Sequence, residues 1–467
     1  MKAGRGLLPL VALGAAAAVV GVVLTVTSSR GKAIDVPSTH AASWGKAIEV
    51  PGTAALNSGG FAGVDSLSCT SAGNCTAGGG YRFGSTDRAF VANEKDGVWG
   101  TAISTEERNT LWHAVIDGLE TSHLSRAHLS QGFATVETVE CTKPGSCVAG
   151  GSYYDGRSGC GIEDGYCYQA YVVTKTKGVW GKPIEVPGTA KLNSDGDGSL
   201  DTISCWSTGN CTAVGTFMSG LAALSDEAFF VEERNGVWGK AIRFPFPTAM
   251  LDADGGYGIT DLFCDSAGSC AATGGAPSVS VFVVNKTHGT WGKPIPVPGL
   301  EPLEEGGSDA VMRALSCTTA RFCTAGGSYT VGMNPDDSST GHVEPFLVTE
   351  TNGVWGTAFT PPGFDDLNEG EFSDLFSISC ATATSCAAGG MYTDDSHRQQ
   401  GFVVSETNGV WGEAIEVPGS AALSVGHNEN GSDAEVDQVV CATADSCTAG
   451  GFYTDRAGHQ QAFVTAP

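Results

Sequence analysis

Seven times along this chain two cysteines stand with five residues between them. The pairs are Cys69 and Cys75, Cys141 and Cys147, Cys205 and Cys211, Cys264 and Cys270, Cys317 and Cys323, Cys380 and Cys386, and Cys441 and Cys447. Successive pairs are 53 to 72 residues apart. A repeat of that length is one supersecondary unit that cannot bury its own apolar faces, so the units must stack.

Each unit contains four short segments. The first ends at the first Cys, as in V-D-S-L-S-C and L-D-T-I-S-C. The second leaves the second Cys through small residues to Tyr81, Tyr153, Phe217, Ala276, Tyr329, Tyr392 or Tyr453. The third carries Phe90, Tyr171, Phe229, Phe282, Phe346, Phe402 or Phe463. The fourth opens at Trp99, Trp180, Trp238, Trp291, Trp355 or Trp411, each nine residues beyond the third-segment aromatic. All are apolar or alternating and bounded by Gly, Asn, Asp or Pro, which predicts strands. Asp96-Gly97, Asn235-Gly236, Asn352-Gly353 and Asn408-Gly409 join the third to the fourth. Such dipeptides tolerate positive φ at both turn positions and signal a tight hairpin. The expected fold is all-β, a seven-bladed β-propeller of four-stranded antiparallel blades.

The last unit ends after Phe463 without its Trp-Gly segment, while a spare one occupies 44–50. Trp44 precedes Cys69 by 25 residues, the spacing of Trp180 to Cys205 and Trp355 to Cys380. Residues 44–50 are therefore expected to complete the seventh blade and remove its open edge. The expected organisation is 1–26 as a signal segment, 27–43 as a polar linker and 44–467 as the propeller. A near copy of the closing strand, without its Trp, lies at 31–37.

Residues 7–26 form an uncharged apolar run behind Lys2 and Arg5. This is either a signal peptide or a signal anchor, its length favouring the anchor, and in both cases the rest is exported. The propeller is expected outside the cell membrane, or secreted if the segment is cleaved. Cysteines in an exported chain read as disulfides, each pair bridging the first hairpin of its blade. An eighth pair, Cys160 and Cys167, lies in an insertion. Structural zinc would need four convergent ligands, which pairs on different blades do not supply. The net charge of −26 excludes the basic surface that nucleic acid requires and disfavours anionic lipid.

Long insertions fall at 101–135, 152–169 and 328–344, all on the face of the strand 2–3 loops and blade-to-blade links. Repeat proteins place insertions on their binding face. The expected partner is a protein or a cell-envelope glycan held there by a monomer. The first insertion also holds Trp112, His113, His123 and His128, whose ordinary use is surface or packing. The Tyr positions ending the second strands either ring the mouth of a channel or pack between blades. No catalytic residue is singled out.

One link pattern suits a hard cation. Asn193, Asp195, Asp197 and Asp201 put oxygen donors at alternate positions around a Gly, as Ca²⁺ sites do. The pattern is similar to the D-x-D-G-x-x-D loops of integrin-type propellers. Residues 252–255 and 428–431 echo it. The same residues are also ordinary turn formers.

The unit resembles that of exported actinobacterial propeller-like proteins, V-S-C-x-S-x-x-x-C-x-A-V-G followed by Asn-Gly and Trp. Here 203–215 read I-S-C-W-S-T-G-N-C-T-A-V-G, with Asn235-Gly236-Val237-Trp238 beyond. The resemblance implies fold and export, and no reaction. Sialidases carry S-x-D-x-G-x-x-W at the strand 3–4 turn. This chain has one residue rather than two between Gly and Trp, and no Arg-Ile-Pro. A glycan-cleaving enzyme using carboxylates on the long-loop face is the alternative to a binding module.

Overall fold

The computed structural model describes residues 44–105, 135–143, 145–158, 166–219, 226–247, 258–276, 280–304, 310–332, 341–370, 372–426 and 433–466. The apolar run 7–26, the linker and the 31–37 duplicate lie outside them. Among the described residues no helix is long and apolar enough to cross a membrane.

Among the described residues seven antiparallel sheets follow one another, the first six each built from a single repeat unit. Sheet 3 is representative, with first strand Ser199–Ser207, second Asn210–Met218, third Asp226–Arg234 and a short fourth piece, Val237–Trp238. The expected hairpin turns are present. Asp96, Asn235, Asn352 and Asn408 have φ of 52–56°, and the glycines after them 78–83°. The fourth strand differs from expectation because it is broken. Val98–Trp99 pairs with the end of the third strand, and Ile103–Thr105 resumes the pairing further back. Between them the chain leaves the ladder at Gly100, whose N–H donates to Asn93 O at 2.9 Å.

In the seventh sheet Lys46–Glu49 pairs antiparallel with Gln460–Ala466, in register Lys46↔Ala466 to Glu49↔Phe463. The strand missing after Phe463 is thus supplied from ahead of the first repeat unit. Trp44 is half-buried, and its indole N–H donates to Ser405 Oγ of sheet 6 at 3.0 Å.

The first strands stand side by side from sheet 2 through sheet 7 to sheet 1. Apolar clusters fill the junctions between sheets. Val64 and Leu67 of sheet 1 pack with Ala462 and Val464 of sheet 7, and Leu375 and Ile378 of sheet 6 pack with Leu347 of sheet 5. The third-strand aromatics are fully buried there. Removing such a side chain from water stabilises by roughly 1.5–3 kcal/mol. Among the described residues no such cluster joins sheets 1 and 2.

Seven bridges cross the first hairpins, as the spacing predicts. Cys69 is bonded to Cys75, Cys141 to Cys147, and Cys205 to Cys211. Cys264 is bonded to Cys270, Cys317 to Cys323, Cys380 to Cys386, and Cys441 to Cys447. In each sheet the two cysteines stand directly opposite in register, with Cα atoms 3.9–4.1 Å apart. The second cysteines turn inward: Cys75, Cys211, Cys270, Cys323 and Cys386 are buried, while Cys147 and Cys447 are half-buried. Cys167 is also disulfide-bonded, while Cys160 lies outside the described residues. The serine before the first Cys joins sheets. Ser204, Ser316 and Ser379 accept the N–H of Cys264, Cys380 and Cys441 in the following sheet at 2.8–3.0 Å.

Candidate functional site: a carboxylate cluster on the first strands

A single backbone irregularity recurs on the first strands. Four residues before the first Cys the register shifts by one, leaving Asp65, Asp201, Thr260, Arg313, Phe376 and Asp437 as bulge residues. Sheet 2 has Glu137 at the same spacing, its N–H on Gly150 O at 2.9 Å. A bulge frees one side chain from the in–out alternation of its strand and re-aims it. The second strand must yield beside it. A Cβ on Gly79, Gly151, Gly215, Gly274, Gly327, Gly390 or Gly451 would stand 1.9–2.2 Å from a carbonyl oxygen of the first strand or, for Gly151, of Thr135 just before it. Only glycine permits that approach, which explains a Gly four residues after the second Cys in every unit.

Charged residues occupy most of the bulge positions, and those of sheets 7 and 1 lie close enough to couple. Asp437 is hydrogen-bonded to Glu435, two residues earlier on its strand, and feels Asp65 of sheet 1. Glu435 in turn feels Asp374 of sheet 6. Arg313 of sheet 5 holds Asp374, with Nη2 and Nε donating to Oδ2 at 2.8 and 3.1 Å. Four carboxyl groups from three sheets therefore gather with one guanidinium.

Their protonation follows from that crowding. Burial, then the charge of Glu435 and the hydrogen bond with it, then Asp65, drive the Asp437 carboxyl far above the usual carboxylate range. Burial raises Glu435 as well. Such a pair shares a proton, because two like charges in contact cannot both ionise. Burial also raises Asp65, with the Gly80 N–H pulling the other way. The cluster offers acceptors for hydroxyl or ammonium groups, plus one carboxyl able to donate.

The Glu435 and Asp437 positions fall near the start of Ala434–Thr443, and the Cys441 disulfide near its end. The cluster thus sits towards the end of the sheets where the links and strand 2–3 loops emerge. Of those loops, 106–134, 159–165 and 333–340 lie outside the described residues, and with them His113, His123 and His128. Residues 252–255 and 428–431 do too.

The link proposed for calcium is put to another use at Asn193. Its Nδ2 donates to Tyr168 O at 2.8 Å, and its Oδ1 accepts the Met218 N–H at 3.3 Å. The side chain is fully buried and committed to backbone. Asn368 does the same with Val343 O and the Thr393 N–H, and Asn57 with Gln460 O and the Phe61 N–H. Asn193 is therefore a link pin rather than an open ligand. Asp201 lies on the first strand as its bulge residue, while Asp195 and Asp197 lie in the link before it. Among the described residues no group of three or more His, Cys, Asp or Glu is placed to hold a metal ion.

The second-strand tyrosines pack rather than ring an opening. Tyr81, Tyr153, Tyr329, Tyr392 and Tyr453 are at most 5% exposed. Their hydroxyls reach Ser104, Glu185, Glu344, Glu416 and Glu49 at 2.6–3.4 Å. The sequence reading missed Asp65, Arg313, Asp374, Glu435 and Asp437. The available signal was the charge recurring four residues before the first Cys, at Asp65, Glu137, Asp201, Arg313 and Asp437.

No protein-family model and no curated protein matches the chain. Among solved structures it is similar to the Hadza microbial sialidase Hz136, at 10% identity and TM-score 0.36, over 70% of this chain and 64% of that one. It thus spans less than two thirds of that sialidase. A protein of unknown function from Dyadobacter fermentans is similar at 9% identity and TM-score 0.42, over 91% of this chain and 99% of that one. Polysaccharide lyase Uly1 is similar at 9% identity and TM-score 0.44, over 86% of this chain and 90% of that one.

Proposed function

We propose that the chain is an exported seven-bladed β-propeller, closed by 44–50, that recognises a cell-envelope glycan on its long-loop face. The resemblance of the Cys-Trp repeat to that of exported actinobacterial propeller-like proteins supports export. Seven disulfides support an oxidising, extracytoplasmic compartment, because such bridges do not persist in a reducing one. The apolar run 7–26 would deliver the chain there, as an anchor or as a cleaved signal.

The convergence of Asp65, Asp374, Glu435 and Asp437 carries the reading. Carboxylates held by a rigid scaffold accept hydrogen bonds from sugar hydroxyls and attract amino sugars. A charged acceptor contributes about 1.5–3 kcal/mol per bond. Asp374→Asn combined with Asp437→Asn should therefore weaken binding at least about tenfold on an array of envelope glycans. Equal binding by the double variant would remove the cluster from recognition.

The shared proton of Glu435 and Asp437 favours a second reading, glycan cleavage, in which the protonated member acts as general acid. The two touch, which is closer than either spacing used by paired carboxylates in glycoside hydrolysis. The second carboxylate would have to be Asp374 or Asp65. Release of reducing sugar by the wild type, lost in Asp437→Asn, would establish this reading over the first.

A further inference from the structure

Three repeat positions flank each junction between neighbouring sheets at its hairpin end. The earlier sheet supplies the first residue of its strand 3–4 turn, three before the Trp, and the residue two beyond that Trp. The later sheet supplies a residue of its strand 1–2 turn, two before its second Cys. At the junction of sheets 4 and 5 these are His288, Lys293 and Arg321. Arg321 stands where the other sheets have Gly73, Gly145, Gly209, Gly268, Thr384 and Asp445. No other junction carries a basic residue at all three positions.

The three basic side chains line one groove with Ile295, Val354 and Trp355. All three are exposed, and so are Val354 at 72% and Ile295 at 44%, so a ligand in solution reaches them directly. Among the described residues none of the three is in an ion pair with a carboxylate, although the chain has 51 acidic residues. The Arg321 guanidinium donates one hydrogen bond, from Nη2 to Asn352 O, and its other donors are uncommitted. Glu350 feels the Arg321 charge, but burial pushes its carboxyl up to about 7, so at neutral pH it cancels that charge only in part. The net charge of −26 does not decide the matter, because at about 0.1 M salt exposed charges further than roughly 10 Å away are screened.

We propose that the groove between sheets 4 and 5 binds an anion-bearing sugar, its acidic group received by Arg321, Lys293 and His288 and its ring resting on Ile295 and Val354. The planar guanidinium fork matches a carboxylate or a phosphate with two parallel hydrogen bonds, and Lys293 adds a point charge. The volume of ≈ 570 Å³ accepts a mono- or disaccharide. His288 and Arg321 belong to hairpin turns, at the other end of the sheets from the first-strand carboxylates. Those carboxylates would repel the same ligand, so the two sites select opposite charges, and failure of this one would leave the reading of the other untouched.

The test follows the backbone amide resonances of His288, Lys293 and Gly353 in the ¹⁵N-labelled full chain during titration. Glucuronate and glucose 6-phosphate distinguish a carboxylate from a phosphate as the source of the anion. Glucose supplies the ring without the charge, and inorganic phosphate the charge without the ring. At least one acidic sugar should shift these resonances saturably, bind at least about tenfold more tightly than glucose, and weaken as salt is added. Arg321→Gln combined with Lys293→Gln should weaken that binding at least about tenfold, and Arg321→Lys, which keeps the charge and loses the fork, should weaken it less. The remaining amide resonances report whether each variant is folded, and titration of the unaltered chain stands without them. Resonances unmoved by both acidic sugars would overturn the proposal. So would glucose or inorganic phosphate binding as tightly as the acidic sugars, or undiminished binding by the folded double variant.

Discussion

At the scale of single residues, this protein buries acids that elsewhere would face water. Burial pushes the Glu406 carboxyl up to about 7. It does the same to Glu350, against the opposing pull of Asn285 and Arg321. Burial takes Asp261 to about 6, although the N–H groups of Leu262 and Leu315 hold it lower than it would otherwise be. Glu94, Glu140 and Glu233 are raised by the same cause, whereas among the described residues only Glu232 and Asp455 are lowered. A carboxyl with a raised folded-state pKa holds its proton longer in the folded chain than in the unfolded one. Its stabilising contribution is complete below about pH 4.5 and is lost as the pH rises through the folded value. The melting temperature should therefore fall from pH 5 to pH 8, and Glu406→Gln should make the fall shallower. A flat or rising profile would show that these carboxyls are hydrated in the folded protein. None of this was readable beforehand, because a Glu five residues before a Trp does not announce whether it will be covered. The same holds at Asn193, where alternating oxygen donors describe a calcium loop and a backbone pin equally well. Only the distances to Tyr168 O and the Met218 N–H separate the two.

Among elements, the first hairpin of each sheet was the most legible. Directly opposed cysteines and a Gly with no room for a Cβ each have one backbone solution, and the spacing repeats them. The bulge four residues before the Cys was not legible, since a one-residue register shift leaves no mark in polarity. The broken fourth strand was missed for a related reason: Trp-Gly-Lys-x-Ile alternates well enough to pass for one continuous strand. Junctions between sheets also proved unequal. Two residues before the first Cys, Leu67, Ile203, Leu262, Ile378 and Val439 are 2–9% exposed, but Val139 of sheet 2 is 49% exposed. On the facing side, a Cβ on Gly150 or Gly326 would meet Leu200 or Ile378 of the next sheet, while one on Gly78 would meet only Ser66 of its own sheet. Ile378→Ala should accordingly cost about 2–5 kcal/mol, and Val139→Ala no more than about 0.5 kcal/mol. Urea unfolding of the two variants checks this, and equal losses would mean that sheets 1 and 2 pack like the rest.

For the whole molecule, seven near-identical sheets leave one problem, which is how a chain with two ends avoids an exposed edge. The pairing of Lys46–Glu49 with Gln460–Ala466 answers it by taking the last strand of the last sheet from the beginning of the repeat region. Three further contacts hold that strand in place. The Ala47 N–H donates to Pro418 O of sheet 6 at 2.7 Å, the Val50 N–H donates to Ala462 O at 2.9 Å, and the Trp44 indole binds Ser405. This was legible from the sequence because the missing segment and the spare one could both be counted. The carboxylate cluster depends on it, since Asp65 belongs to sheet 1 and Glu435 and Asp437 to sheet 7, on either side of the closing junction. Thermal unfolding of a chain beginning at Ala42 beside one beginning at Ser58 tests closure most directly. The shorter chain should melt well below the longer one and aggregate, and residues 42–52 appended after Pro467 should restore its melting temperature. Equal melting temperatures for the two chains would contradict closure of the seventh sheet by this strand and, with it, the proposed seven-bladed ring.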